Sequence, residues 1–170
     1  MESLKAAIVL FVAALLQLSI LTEYPPFRTG SVVLVVLLAL ALLRGSVFGA
    51  VAGFGAGLLI DVATLGTLGV TSLLLTLSGF WIGRYGETTA RDRIHAPFLS
   101  VAVVTVLYAF GQLVLQFVLG EPAPAGLVAR ELPLGLVLNL VLTLPVYALV
   151  RRLFAPAELA ERVREVRLLG

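Results

Sequence analysis

The most informative stretch of the chain is residues 45–69, which read GSVFGAVAGFGAGLLIDVATLGTLG. Four of its glycines recur at every fourth position: Gly45, Gly49, Gly53 and Gly57. Residues four apart lie on one face of a helix, so this spacing predicts a smooth groove along one side of an α-helix. Gly79 and Gly83 repeat the spacing in the next apolar segment. Faces of small residues allow the backbones of membrane helices to approach closely.

Two interpretations of this glycine groove fit the sequence. In one, the helix is central to its own bundle and a neighbouring helix of the same chain fills the groove. In the other, part of the groove receives the transmembrane helix of a partner, and a bulky residue at Gly49 or Gly53 blocks that partner without preventing membrane insertion. The candidate residues for this interface are Gly45, Gly49, Gly53, Gly57, Gly79 and Gly83.

The composition of the whole chain places these helices in a membrane. Hydrophobic residues make up 60% of the 170 residues and charged residues only 13%, against about 45–50% and about 25% in soluble domains. The chain has no cysteine and one histidine, His95, which excludes a disulfide framework and leaves no set of ligands for a zinc cluster. We therefore exclude soluble enzymes, secreted disulfide scaffolds and disordered tails, and we expect no cofactor.

Charged residues divide the chain into six apolar segments, which predict six transmembrane helices. The segments are 6–22, 29–43, 45–60, 62–83, 94–120 and 132–150. The second segment is short, because its 15 residues reach about 22 Å and the hydrocarbon core of a bilayer is about 30 Å thick. Either Arg44 extends its side chain to the interface while the helices continue past it, or segments two and three form a re-entrant hairpin. Both interpretations require a tight turn at Arg44 and Gly45.

The basic residues predict the orientation of the six spans. Ten of the twelve Lys and Arg residues fall on the side that holds both termini, and the cytoplasmic side of membrane proteins carries this excess. Both termini are therefore expected in the cytoplasm. Because the charges follow topology and anionic lipid, the net charge of +2 does not indicate a nucleic-acid partner. We expect a transmembrane domain over residues 1–155 and a short cytoplasmic amphipathic helix over residues 156–170.

Asp61 and the turn after it form a second group of candidates. An acidic residue near the membrane is a functional candidate, and we expect this one at the outer boundary, where it can reach water. Two roles are open: an anchor whose carboxylate accepts hydrogen bonds from backbone amides of the following turn, or a group that handles protons or a ligand. The candidates are Asp61, Thr64, Gly66 and Gly69.

Four amide side chains within the apolar segments form a third group: Gln17, Gln112, Gln116 and Asn139. Gln112 and Gln116 share a helix face because they are four residues apart. Buried amides in lipid need partners, and hydrogen bonds between helices are the usual outcome; the alternative is the polar lining of a small-molecule pocket. We do not expect an intramembrane enzyme, because no second acid pairs with Asp61 and His95 is expected at the inner interface.

The run Gly53-Phe54-Gly55-Ala56-Gly57-Leu58-Leu59-Ile60-Asp61, followed by Leu68-Gly69, resembles the signature region of the bacterial rod shape-determining MreD family. That region consists of a glycine-rich helix, Leu-Leu-x-Asp, a small loop and Pro-Leu-Gly. The chain is also similar to this family in length, in its six predicted spans, in the short turn at Arg44 and Gly45, and in its inside termini.

The resemblance implies a function that composition does not. MreD-like proteins are non-enzymatic inner-membrane subunits of the elongasome, the lateral-wall machinery that maintains rod shape. They bind MreC and, through it, meet the actin-like MreB and the peptidoglycan synthases. The implied fold is an all-α bundle of six transmembrane helices similar to the S components of energy-coupling-factor transporters, and no catalytic residue or cofactor carries over.

A vitamin-binding S component is the alternative function that this fold allows. The first apolar segment argues against it, because Ala13 and Ala14 are followed four residues later by Gln17 and Leu18. The Ala-x-x-x-Ala docking pattern typical of S components is therefore missing there.

Overall fold

The computed structural model describes residues 2–17, 19, 31–65, 67–88, 96–120 and 125–168, with the backbone alone at 2–4, 96, 125, 127 and 155–168. These residues form six α-helices and no strand: α1 (Glu2–Leu16), α2 (Val32–Arg44), α3 (Ser46–Thr64), α4 (Val70–Thr88), α5 (Ala96–Val118) and α6 (Ala125–Leu168). The expected all-α class is confirmed. The predictions for Gly66, His95 and the side chains of the C-terminal amphipathic segment lie outside the described residues.

Three helices in the described part of the chain are long and apolar enough to cross a membrane. They span Ser46–Thr64 in α3, Pro97–Val118 in α5 and Val128–Phe154 in α6. The apolar parts of α1 and α2, Lys5–Leu16 and Val32–Arg44, are shorter. The helices are those of a membrane protein, and the count of six spans stays a prediction.

Helix α2 lies at the centre of the fold. All ten residues from Val33 to Leu42 are buried, and α2 contacts each of the other five helices. A helix that is apolar on every side belongs in a protein core or in lipid, and here its own neighbours enclose it. The exposed apolar side chains of α1, α3, α4, α5 and α6 form the outer surface around this core.

The tight turn predicted at Arg44 and Gly45 is confirmed, since α2 ends at Arg44 and α3 begins at Ser46. Gly45 has φ +94° and ψ −178°, a region that is essentially restricted to glycine. Its N–H donates to the carbonyl of Ala41 at 2.8 Å, which closes the last turn of α2. The Arg44 guanidinium lies between two aromatic rings, 5.1 Å from the centroid of Phe48 and 4.8 Å from that of Phe154. These cation–π contacts tie the turn to α6.

Helix boundaries between α3 and α4 differ from the segments that charged residues delimit. Helix α3 continues beyond Asp61 to Thr64, and α4 begins at Val70 and ends at Thr88, past Arg84. The charges are tolerated inside these terminal turns because each has a partner, as described below.

Helix α6 is continuous across the expected domain boundary at residues 155 and 156. The proposed division into a membrane domain and a C-terminal helix therefore stays a prediction.

Candidate functional site

Helices α3 and α4 pack against each other in direct backbone contact along their glycine faces. A Cβ added to Gly49 would meet the carbonyl oxygen of Gly79, and a Cβ at Gly79 would meet that of Gly49. The same relationship joins Gly53 to the backbone of Leu75. Two further backbone contacts of this kind join Gly57 to Ser72 and Gly83 to Gly45. Residue numbers rise along α3 as they fall along α4, so the two helices run antiparallel.

This arrangement assigns the glycine groove to the chain's own packing. Each of the six candidate glycines would place a Cβ against α3, α4 or the turn before α3: Gly45, Gly49, Gly53, Gly57, Gly79 and Gly83. A partner's helix cannot occupy the groove while α4 fills it. Our expectation for bulky substitutions at Gly49 or Gly53 therefore needs correction, because such side chains would collide with α4 before they met any partner.

The opposite face of α3 is exposed and apolar. Its side chains form a stripe along the whole helix, with exposed fractions of 73% at Val47, 69% at Val51, 54% at Phe54, 41% at Leu58 and 58% at Val62. Gly55 lies on this face, and a Cβ there would meet nothing within 4 Å. The stripe therefore contains a shallow notch in its middle where another backbone can approach closely. We call these residues the outer stripe of α3.

Glu87 closes the end of the α3–α4 pair at which α3 begins. Its Oε1 accepts hydrogen bonds from the N–H of Ser46 at 2.7 Å and from the Ser46 hydroxyl at 2.9 Å. Ser46 is the first residue of α3, where N–H groups lack partners within the helix and a negative charge is favourable. The two hydrogen bonds from Ser46 lower the pKa of Glu87, and Arg84, 3.4 Å away, adds to this shift.

Sequence reasoning missed Glu87. The signal that could have found it is the register of the glycines, since Gly83 faces Gly45 and Glu87 lies one helical turn beyond Gly83.

Asp61 closes the other end of the pair. It is 2% exposed, and its Oδ2 accepts from the N–H groups of Gly69 at 2.8 Å and Ser72 at 3.2 Å. Its Oδ1 accepts from the N–H of Thr71 at 3.2 Å. Thr71 and Ser72 lie in the first turn of α4 and Gly69 directly precedes it, so Asp61 acts as the anchor that one of the two interpretations predicted. The expectation that Asp61 reaches water is wrong, because the start of α4 encloses its carboxylate.

The other loop candidates have smaller roles in the structure. Gly69 has φ +97°, a conformation that favours glycine, and it presents its N–H to Asp61. Thr64 is exposed, and its hydroxyl donates to the carbonyl of Ile60 within the same helix at 2.8 Å. Thr64 therefore takes no part in the anchor.

Asn139 and Gln17 hold the N-terminal end of the central helix α2. Asn139 is 2% exposed; its Oδ1 accepts from the N–H of Ser31 at 2.8 Å, and its Nδ2 donates to Thr105 at 3.0 Å. Gln17 Oε1 accepts from the N–H of Val33 at 3.0 Å and from the Ser31 hydroxyl at 3.3 Å. Both amides therefore act as the helix-to-helix links expected of polar groups in lipid.

The same amides also line a cavity of about 280 Å³. It lies between the end of α1, the start of α2, the middle of α5 and the first turns of α6. Three of the four predicted amides line it: Gln17, Gln112 and Asn139. Tyr108 and Glu131 line it as well. Gln116 is half-buried on α5 and does not line it. The amides therefore form hydrogen bonds between helices and border a cavity at the same place, and a small-molecule role for that cavity stays a prediction.

The described residues contain no group of three His, Cys, Asp or Glu side chains that could hold a metal ion. A family model described as rod shape-determining protein MreD matches residues 3–153. No curated protein and no solved structure matches the chain at a significant level. The match gives no support to the vitamin-binding alternative, and the likeness to S components stays a prediction.

Proposed function

Since the chain belongs to the MreD family of rod shape-determining proteins, we propose that it is a non-enzymatic subunit of the elongasome that binds the transmembrane helix of MreC. The family connects it with rod shape, and its apolar helices are those of an inner-membrane protein. In the proposal it crosses the membrane six times with both termini in the cytoplasm. By binding MreC it fixes where MreC meets the peptidoglycan synthases and, indirectly, MreB.

The outer stripe of α3 is the proposed docking face, and its combination of exposure and rigidity supports this choice. Backbone contact with α4 fixes α3 along its length, and Glu87 and Asp61 hold the two ends of the pair. The stripe is therefore presented on a preorganised surface, which reduces the ordering that binding requires. In this proposal the six glycines act by fixing α3, and the partner contacts the residues around Gly55.

Helix α5 provides the comparison that makes this choice specific. It also exposes large apolar side chains, with fractions of 62% at Leu107 and 67% at Phe110. Its only glycine within the apolar span, Gly111, is covered by the side chain of Leu74. The outward face of α5 therefore lacks a notch and suits lipid contact.

Cysteine cross-linking tests the proposal, because the chain has no cysteine of its own. Single substitutions Val51→Cys and Phe54→Cys are combined with a cysteine series along the MreC transmembrane helix, and Leu107→Cys and Phe110→Cys are the matched controls. We expect the α3 cysteines to form disulfide-linked heterodimers with cysteines on one face of the MreC helix. We expect the α5 cysteines to form none. Equal cross-linking from both helices, or failure of MreC to co-purify with the parent chain, would contradict the proposal.

A further inference from the structure

The cavity between the end of α1 and helices α2, α5 and α6 has a size that limits its occupant. Its volume is about 280 Å³. Ligand pockets for drug-sized molecules range from about 300 to 1,000 Å³. The occupant is therefore a small polar molecule or the head of a larger one.

One side of the lining is already engaged within the protein. Asn139 uses both ends of its amide, for Ser31 and Thr105. The Ser31 hydroxyl accepts from the N–H of Leu34 at 3.2 Å and donates to Gln17. These groups form a fixed wall.

Two hydrogen-bond acceptors of the lining are unused. Gln112 donates its Nε2 to the hydroxyl oxygen of Tyr108 at 3.1 Å, and its Oε1 has no partner among the residues the structure describes. Glu131 also has no hydrogen-bond or ion-pair partner among the described residues. The lining residues include this one carboxylate and no lysine or arginine. An anion is therefore disfavoured there, and a cation that donates hydrogen bonds is favoured.

We propose that this cavity binds a primary ammonium group, which lies against the Glu131 carboxylate and donates to Gln112 Oε1. An ammonium group has three N–H donors and no acceptor, which complements the acceptors that the lining leaves unused. Hydrogen bonds between two charged groups are about twice as strong as those between neutral ones. The inference does not rest on the proposed contact with MreC.

Two sources can supply this ammonium group. Glu131 lies three residues after Val128, where the apolar part of α6 begins, so the cavity is at the level of a membrane interface. A water-soluble amine and the ethanolamine headgroup of a lipid both reach this level.

Thermal unfolding of the purified chain, without MreC, in a maltoside detergent and an amine-free buffer tests the proposal. Ethanolamine is titrated in one arm, and phosphatidylethanolamine in mixed micelles in the other, with phosphatidylglycerol as the lipid control. Stabilisation by free ethanolamine identifies a soluble ligand, and stabilisation by phosphatidylethanolamine alone identifies a lipid headgroup. Tetramethylammonium is a cation without N–H donors. We expect it to bind about tenfold more weakly than ethanolamine, or weaker still.

Glu131→Gln is the diagnostic variant, because the side chain is exposed and its amide keeps the shape of the carboxylate. Loss of the charged hydrogen bond predicts about tenfold weaker binding. Glu161→Gln is the matched control, about 45 Å further along α6 at about 1.5 Å per residue, and should bind as the parent does. No stabilisation in either arm, equal stabilisation by tetramethylammonium, or unchanged binding by Glu131→Gln would each overturn the proposal.

Discussion

The carboxylate of Glu87, in the last turn of α4, accepts hydrogen bonds from both the N–H and the hydroxyl of Ser46, the first residue of α3, at 2.7 and 2.9 Å. These bonds join the start of α3 to the end of α4, where the backbones already touch at Gly83 and Gly45. The anchor at Asp61 joins the opposite ends of the same pair, the end of α3 and the start of α4. The α3–α4 hairpin is therefore held by a carboxylate at each end and by glycines between them.

Glu87 makes the stability of the hairpin dependent on pH. Because the bonds from Ser46 lower the pKa of Glu87 in the folded protein, its contribution is complete above the ordinary carboxyl pKa and is lost as the pH falls through the lowered pKa. We expect Glu87→Gln to lower the unfolding temperature at neutral pH, and the difference from the parent to shrink in acid. Arg84→Gln, which removes only an exposed ion pair, is the control with little effect. A difference for Glu87→Gln that stays constant across pH would contradict this assignment.

The two glycines Gly53 and Gly55 should respond to alanine in opposite directions. A methyl group at Gly53 meets the backbone of Leu75, whereas one at Gly55 meets nothing within 4 Å. Gly55→Ala should stabilise the helix by about 0.5–1 kcal/mol, since glycine in a helix interior is unfavourable by this amount. Gly53→Ala should destabilise the protein by roughly 1–3 kcal/mol, as overpacking does. Unfolding in detergent measures both, and equal effects would refute the close packing of α3 on α4.

Asp61→Ala should destabilise the protein by roughly 2 kcal/mol. The substitution removes the acceptor of three backbone N–H groups at the start of α4, and a helix cap contributes about 0.5–2 kcal/mol. Thr64→Ala is the matched control in the same turn of α3, because the Thr64 hydroxyl bonds only within its own helix. Hydrogen exchange of the Thr71 and Ser72 amides should increase in Asp61→Ala alone. Unchanged protection of these amides would show that Asp61 does not anchor α4.

Asn139→Leu should destabilise the protein by roughly 2–3 kcal/mol. A leucine of similar size leaves the N–H of Ser31 without its acceptor, and an unsatisfied buried polar group costs about 1–3 kcal/mol. Gln116→Leu is the control, since Gln116 is an amide on the neighbouring helix α5 that does not line the cavity beside Asn139. Equal stability of the two variants would mean that Asn139 does not hold α2 in place.

Local patterns predicted much of this fold. The spacing of the glycines predicted a face for close packing, Arg44 and Gly45 predicted the tight turn, and Asp61 was recognised as a candidate anchor for the following turn. Each of these depends on residues close together in the sequence, where helix geometry alone determines what can meet.

Contacts between distant segments could not be predicted in the same way. Periodicity showed that α3 has a smooth face but not that α4 covers it, because a partner's helix satisfies the same pattern. The chain also gives no local sign that Ser31 meets Asn139, 108 residues away. Helix α2 has apolar residues on every side, so its sequence does not distinguish lipid contact from burial in the core.

The burial of α2 has a consequence for how this protein fits into bilayers of different thickness. A lipid-facing helix that is too short must thin the bilayer around it or tilt its neighbours, which costs free energy. Helix α2 has 13 residues, about 20 Å at about 1.5 Å per residue, but its side chains between Val33 and Leu42 touch protein and not acyl chains. Hydrophobic mismatch therefore falls on the peripheral helices, and the length of α2 is set by its neighbours and not by the membrane.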